Sequence, residues 1–260
     1  AISATTADNS GNHIILNLED LTVSASKAGD YAIKSWAGAT INATNVTATG
    51  SYAGCFYAVG GEMVLNNCTA IQTGLHTAPY MSMALAVSTG GKMTVNSGTY
   101  STTPSAASDG YNQGSSHGSW CAGVMNSGGT LIINGGTFSN GNFGEDSLAT
   151  AARGLIFGDT ASVVEINGGT FNALKSVIDY QNNLGAQPNP NFLISGGTFN
   201  ANPTAVTSYG GVTIADGYEV VENNGVWTVE QIKVASVDGV EYGSLQDAIN
   251  AANGKTVTII

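Results

Sequence analysis

The chain has 260 residues, of which 42% are hydrophobic and 10% charged, and its formal net charge is −11 at pH 7. Seven Lys and Arg against 18 Asp and Glu exclude a nucleic-acid partner, because phosphate binding needs clustered cations. No run of about 18 apolar residues could cross a bilayer as a helix, and no charged, apolar and small-residue leader opens the sequence, so Ala1 reads as the start of a mature or excised fragment.

From the N-terminus onward a threonine recurs after a turn-like pair and is mostly followed by an apolar or aromatic residue. Three worn copies come first, Asp20-Leu21-Thr22-Val23, Asn45-Val46-Thr47-Ala48 and Asn67-Cys68-Thr69-Ala70. A fuller copy follows at Val95-Asn96-Ser97-Gly98-Thr99-Tyr100. The clearest are Ile133-Asn134-Gly135-Gly136-Thr137-Phe138, Ile166-Asn167-Gly168-Gly169-Thr170-Phe171 and Ile194-Ser195-Gly196-Gly197-Thr198-Phe199. A repeat whose period varies this much fits one solenoid rung carrying a loop of changing length.

Aligning the copies exposes a second turn in each rung. Met63 falls on Ile41, and Gly60-Gly61 falls on Gly38-Ala39 and on Gly90-Gly91. Short apolar runs precede this turn, such as Cys55-Phe56-Tyr57-Ala58-Val59 and Met83-Ala84-Leu85-Ala86-Val87; alternating segments such as Met93-Thr94-Val95 follow it. A third strand carries the threonine. Three strands per rung predict an all-β chain folded as a right-handed parallel β-helix of about seven rungs. In that fold glycine serves corners that need positive φ, Asn134 and Asn167 bond one rung to the next, and Tyr100, Phe138, Phe171 and Phe199 stack in one column.

Three excursions interrupt the rungs. The longest, 101–120, carries Tyr111, His117 and Trp120; a second spans 139–153 with Glu145 and Asp146; the third contains Asp179, Tyr180 and Gln181. Aromatic side chains on loops of a rigid scaffold suit the apolar faces of sugar rings, so Tyr111, His117, Trp120 and Tyr180 are the candidate glycan-binding residues. The simpler reading is that Trp120 tucks its loop onto the coil. If the excursions leave one corner, they line one candidate binding face.

Cys55, Cys68 and Cys121 give an odd count. Small buried hydrophobes are the expected role, with a Cys55–Cys68 bridge as the alternative. Catalysis is not expected: only Asp159 and Asp179 approach the pairing that glycoside cleavage needs, their registers do not match, and His13, His76 and His117 are dispersed. No cofactor or metal site is expected, acidity giving at most a weak affinity for calcium.

The C-terminal part changes character. Residues 217–229 read as a hairpin turning at Asn224-Gly225, which should close the coil. A strand pair around Asp238-Gly239 follows, then a short helix opening at Ser244 with an acid three residues on, then a strand from Thr256 with no evident partner. The expected division is therefore 1–212 β-helix, 213–230 closing hairpin and 231–260 strand-helix-strand.

The INGGTF-type rungs, the GYEVVENNGVWTV tail and the VEYGSLQDAINAANGKTVTII segment resemble pectate-lyase-like β-helix modules of large bacterial surface and secreted proteins. The resemblance covers nearly the whole chain and implies an extracellular or cell-surface, adhesin-like role, with no catalytic residue to carry over. In that family the SLQDAINAA-like helix opens a module and caps its first rung, whereas here it stands at 245–252 and residues 1–18 have none. Two readings follow: subunits join head to tail through Leu245, Ala248, Ile249, Val257 and Ile259 against Leu16 and Leu18 of a second copy, or the segment begins a following module of a tandem array. The functional expectation is a non-enzymatic structural or adhesive protein whose partners are its own copies or glycans. A polysaccharide-degrading enzyme and a trimeric glycan-binding spike are the alternatives.

Overall fold

The computed structural model describes residues 1–5, 13–26, 30–50, 54–73, 83–102, 123–140, 154–159, 161–173, 176–180, 191–205 and 211–260. Strands β1 (Ile2–Ala4), β2 (Ile14–Glu19) and β3 (Thr22–Ala25) open three sheets, A, B and C. The chain then repeats that order. The second triplet is β4 (Tyr31–Trp36), β5 (Ala39–Thr44) and β6 (Thr47–Gly50), and the third β7 (Gly54–Val59), β8 (Glu62–Asn66) and β9 (Cys68–Gln72). Then come β10 (Met83–Ser88), β11 (Lys92–Val95) and β12 (Gly98–Thr102), followed by β13 (Val124–Ser127), β14 (Thr130–Ile133) and β15 (Thr137–Ser139). The last two are β16 (Ile156–Asp159), β17 (Val163–Ile166) and β18 (Thr170–Asn172), then β19 (Ile178–Tyr180), β20 (Asn191–Ile194) and β21 (Gly197–Phe199). Every third strand joins the same sheet, and each joins its predecessor in parallel.

The register is the one the repeat predicts. Thr22, Thr47, Thr69, Thr99, Thr137, Thr170 and Thr198 align in a single column of sheet C. The connection from B to C is only one to three residues in every triplet, and side-chain amides staple it to the triplet before. Asn96 donates to Asn66, Asn134 to Asn96 and Asn167 to Asn134 at 2.8–2.9 Å, and Ser195 donates to Asn167. A parallel ladder links Asn67 to Asn45 and Asn45 to Asp20.

That corner is packed in two ways. In the first three triplets Asp20, Asn45 and Asn67 take the positive φ, the next residue (Leu21, Val46 or Cys68) packs on or in the core, and the residue after the threonine is aliphatic, Val23, Ala48 or Ala70. From β12 onward the positive φ moves to Gly98, Gly136, Gly169 and Gly197, and the residue after the threonine is Tyr100, Phe138, Phe171 or Phe199. The pairing of Gly98 with Cys68 and of Tyr100 with Ala70 makes the exchange explicit. The ring occupies the space beneath the glycine: a Cβ added to Gly197 would lie 2.9 Å from the Phe199 ring. The four rings stack with centroids 5.0, 5.0 and 4.8 Å apart. Each pair contributes about 0.5–1.5 kcal/mol beyond burial.

The main core lies among the three sheets, drawing Ile33 and Phe56 from A, Ile41 and Leu65 from B, and Ala48 and Phe171 from C. Cys55 and Cys68 are buried in it as free thiols, so they form no bridge; Cys121 lies outside the described residues. No helix among the described residues is long and apolar enough to cross a membrane.

After β22 (Val212–Ile214) extends sheet B, the hairpin β23 (Tyr218–Asn223) and β24 (Val226–Gln231) pairs antiparallel onto β21 and turns at Asn224 and Gly225, both at positive φ. Trp227 stands opposite Phe199. Strands β25 (Ala235–Val237), β26 (Val240–Tyr242) and β27 (Val257–Ile259) then form a separate antiparallel sheet covered by helix α1 (Leu245–Ala252). Ser244 caps α1 by accepting from the Asp247 N–H at 3.1 Å, and Asn253 ends it in the left-handed region. The strand after α1 is therefore not unpaired, as the sequence suggested: β27 joins β25, with Val257 opposite Val237.

Replacing Phe171 by Ala is expected to lower the unfolding free energy by about 3–5 kcal/mol, whereas Thr170→Ala on the outer face changes it by less than about 0.5 kcal/mol. Guanidinium denaturation of both variants checks this, and equal losses would contradict the inward and outward assignment of that strand.

Candidate functional site

Sheet A carries chemistry on both faces. Its inward column runs Ile33, Phe56, Leu85, Val124, Ile156 and Ile178. One residue further along, Lys34, Tyr57, Ala86, Phe157 and Asp179 lie on the opposite face. A second outward set, Tyr31, Gly54 and Met83, starts the strands. Here Met83, Ala86 and Phe157 are buried in a cluster distinct from the main core, with Tyr31 and Tyr57 packed against it.

The contacts at this face are specific. The Tyr31 and Tyr57 rings lie 4.5 Å apart and tilted by 41°. Gly54 makes room for them: a Cβ there would fall 2.6 Å from the Tyr31 ring. The Tyr31 hydroxyl donates to Met83 Sδ at 3.7 Å, and Lys34 Nζ sits 5.4 Å from the Tyr31 centroid, a cation over an aromatic face. At the corner from A to B, exposed Trp36 donates from Nε1 to Ser3 Oγ at 2.9 Å.

This outward cluster was missed as a site, although the sequence held its signal. Sheets B and C show alternating apolar residues, whereas β7 and β10 are apolar almost throughout, and a strand apolar on both sides is covered on both. Connectivity points the same way. The connections from C to A run from three residues (51–53) to 21 (103–123), and those at 73–82 and 140–155 also vary. Two of the three excursions thus join sheet C to sheet A, as the connections 51–53 and 73–82 do. The third does not: residues 181–190 join A to B.

Of the proposed glycan-binding residues, Tyr111, His117 and Trp120 lie outside the described residues, in the segment joining β12 to β13. Tyr180 lies in β19 beside Gly158, and its side chain is outside the described set. Asp179 pairs with Phe157, while Asp159 pairs with Ser127, so the two residues stand at different register positions. The Gly154 N–H donates to Asp179 Oδ2 at 3.3 Å. Among the described residues no group of three or more His, Cys, Asp or Glu could hold a metal ion.

The proposed subunit-contact residues divide. Leu245, Ile249 and Ile259 are exposed, by 73% at Ile259. Ala248 is fully buried, and Val257 is half-buried against it in the small C-terminal core. Leu18 is buried and Leu16 packs against the main core.

Burial controls the ionisable groups. It pushes the Cys55 thiol up to about 12, raises Cys68, and raises the Tyr31 and Tyr100 phenols, with Tyr57 adding repulsion at Tyr31 and Cys68 at Tyr100. A thiol so held stays protonated at neutral pH and is no nucleophile. Because the folded values lie above the unfolded ones, their stabilising contribution is complete below about pH 9 and is lost as pH rises towards 12. At Cys55 stability is expected to fall by about 1.4 kcal/mol per pH unit across that window. Denaturation at pH 8, 9.5 and 11 checks it: Cys55→Ala should flatten the slope, and an unchanged slope would contradict the assignment.

Comparison with family models, with curated proteins and with solved structures finds no match, so the likeness to pectate-lyase-like modules rests on the sequence motifs alone.

Proposed function

We propose that the three sheets wrap into one right-handed parallel β-helix, and that this protein is an extracellular, non-enzymatic structural and adhesive element of a bacterial surface. The observation that carries the reading is the unbroken in-register stack, seven threonines deep and stapled by amides. Such a stack holds its shape without a cofactor, and a rigid scaffold with variable connections at one corner suits display. The excursions entering sheet A would present Tyr111, His117 and Trp120 to glycans.

The C-terminal unit supports a role in end-to-end assembly. Helix α1 buries Ala248 and Ala252 on its own sheet and leaves Leu245 and Ile249, the rest of its apolar stripe, exposed. Strand β27 bonds only to β25, leaving its other edge open within its sheet. An open edge beside apolar side chains is a template for another strand, and the first rung of a second copy, at β2 and β3, is the occupant this reading assigns. Negative-stain microscopy across a concentration series tests it, comparing the full chain with a Leu245→Lys/Ile249→Lys variant. Filaments in the full chain alone are expected, and single particles in both would overturn the assembly. Release of reducing ends from acidic polysaccharides would overturn the non-enzymatic reading.

A further inference from the structure

Sheet C differs from A and B in having no charged residue in any of its seven parallel strands, β3, β6, β9, β12, β15, β18 and β21, in a chain of net charge −11. Its outer face carries the seven-threonine column, exposed at Thr22, Thr99, Thr137 and Thr170 and half-buried at the rest. Thr228 on β24 extends the column opposite Thr198. None of the seven hydroxyls has a hydrogen-bond partner among the described residues, so they face solvent.

A second outward column stands two residues further along each strand: Ser24, Thr49, Ile71, Ser101, Ser139 and Asn172. The two columns make a lattice. Beneath the last four threonines the aromatic stack repeats at 4.8–5.0 Å, close to the spacing of about 4.8 Å between neighbouring strands, and the columns lie about 6.6 Å apart along the strand direction. The rings beneath are nearly parallel, at 6–19°, and the amide ladder along the adjoining corner fixes the spacing at the edge. The array is therefore rigid before any ligand arrives, so little ordering entropy opposes binding.

A ligand for such a face must be uncharged, periodic in two dimensions, and able to meet hydroxyl and methyl groups alternately. Every aromatic residue of the parallel strands of sheet C points inward, so no ring is offered to stack on a sugar. The seven parallel strands offer no lysine, arginine or carboxylate to hold a charged polymer or a mineral ion; the carboxylates of the sheet, such as the paired Glu219 and Glu230, stand at its antiparallel end. We propose that the outer face of sheet C binds the surface of ice, whose oxygens repeat on comparable spacings. The threonine hydroxyls would join the ordered water layer as donors and acceptors, and the methyl groups would sit in its voids.

The test uses the full chain in ice-affinity partitioning and thermal-hysteresis measurements, with serum albumin as the non-binding reference. Thr137→Tyr and Thr170→Tyr break the lattice at exposed positions, and Thr94→Tyr on the outer face of sheet B is the control; circular dichroism melts confirm that all three fold. The full chain and the sheet B variant are expected to enter ice about tenfold more than albumin and the two sheet C variants to lose this, a tenfold change being about 1.4 kcal/mol. Enrichment no greater than that of albumin, or full binding by the sheet C variants, would overturn the proposal. So would retention on crystalline cellulose or chitin that needs the same threonines, in a chain that ice does not take up.

Discussion

The short corner between sheets B and C is the constraint on which the rest of the structure depends. Each residue of a parallel strand is paired with its counterpart in the next triplet, and a slip of one residue would turn every inward side chain outward. With only one to three residues in the corner, there is no slack to absorb such a slip. The Asn ladder ties each corner to the one before, and the positive-φ residue at the turn sets where the next strand begins. The columns of threonine and phenylalanine are consequences of that fixed start.

Holding one corner fixed leaves another free to vary. Loop-closure entropy grows only slowly with length, so the connections from C to A run from three to 21 residues without disturbing the stacks on either side. The chain thus separates its tasks by face. The parallel strands of sheet C keep a regular uncharged outer surface, sheet B carries alternating strands with scattered charge, and sheet A, which the variable connections lead into, carries the Tyr31, Tyr57, Met83 and Phe157 cluster. The exchange between Val46 with Ala48 and Gly136 with Phe138 shows the core conserving filled volume while changing which residue supplies it.

Much of this was legible in the sequence because the signals repeat. The threonine spacing gave the register of sheet C, the Gly60-Gly61 and Gly90-Gly91 alignment gave that of sheet B, and Asn224-Gly225 gave the hairpin. What escaped were relations that no repeat encodes. The partner of β27 is β25, some twenty residues earlier, in a sheet of its own, and pairing between nonequivalent strands leaves no periodic mark. Ala248 looked available beside Leu245 and Ile249 because all three share one apolar stripe; only the position of the sheet decides which half is covered. The outward cluster on sheet A was readable from strands apolar on both sides, yet such runs also suit a strand buried at the centre of a core.

The account's central claim is that the corner from B to C sets the register while the corner from C to A does not. It is tested most directly by inserting one alanine at each and measuring the free energy of unfolding in guanidinium. An insertion between Asn167 and Gly168 should abolish folding or lower stability by at least about 3 kcal/mol, since it turns the Phe171 side chain out of the core. An insertion between Ser115 and Ser116 should change it by no more than about 0.5 kcal/mol. Comparable losses at the two sites would contradict the claim.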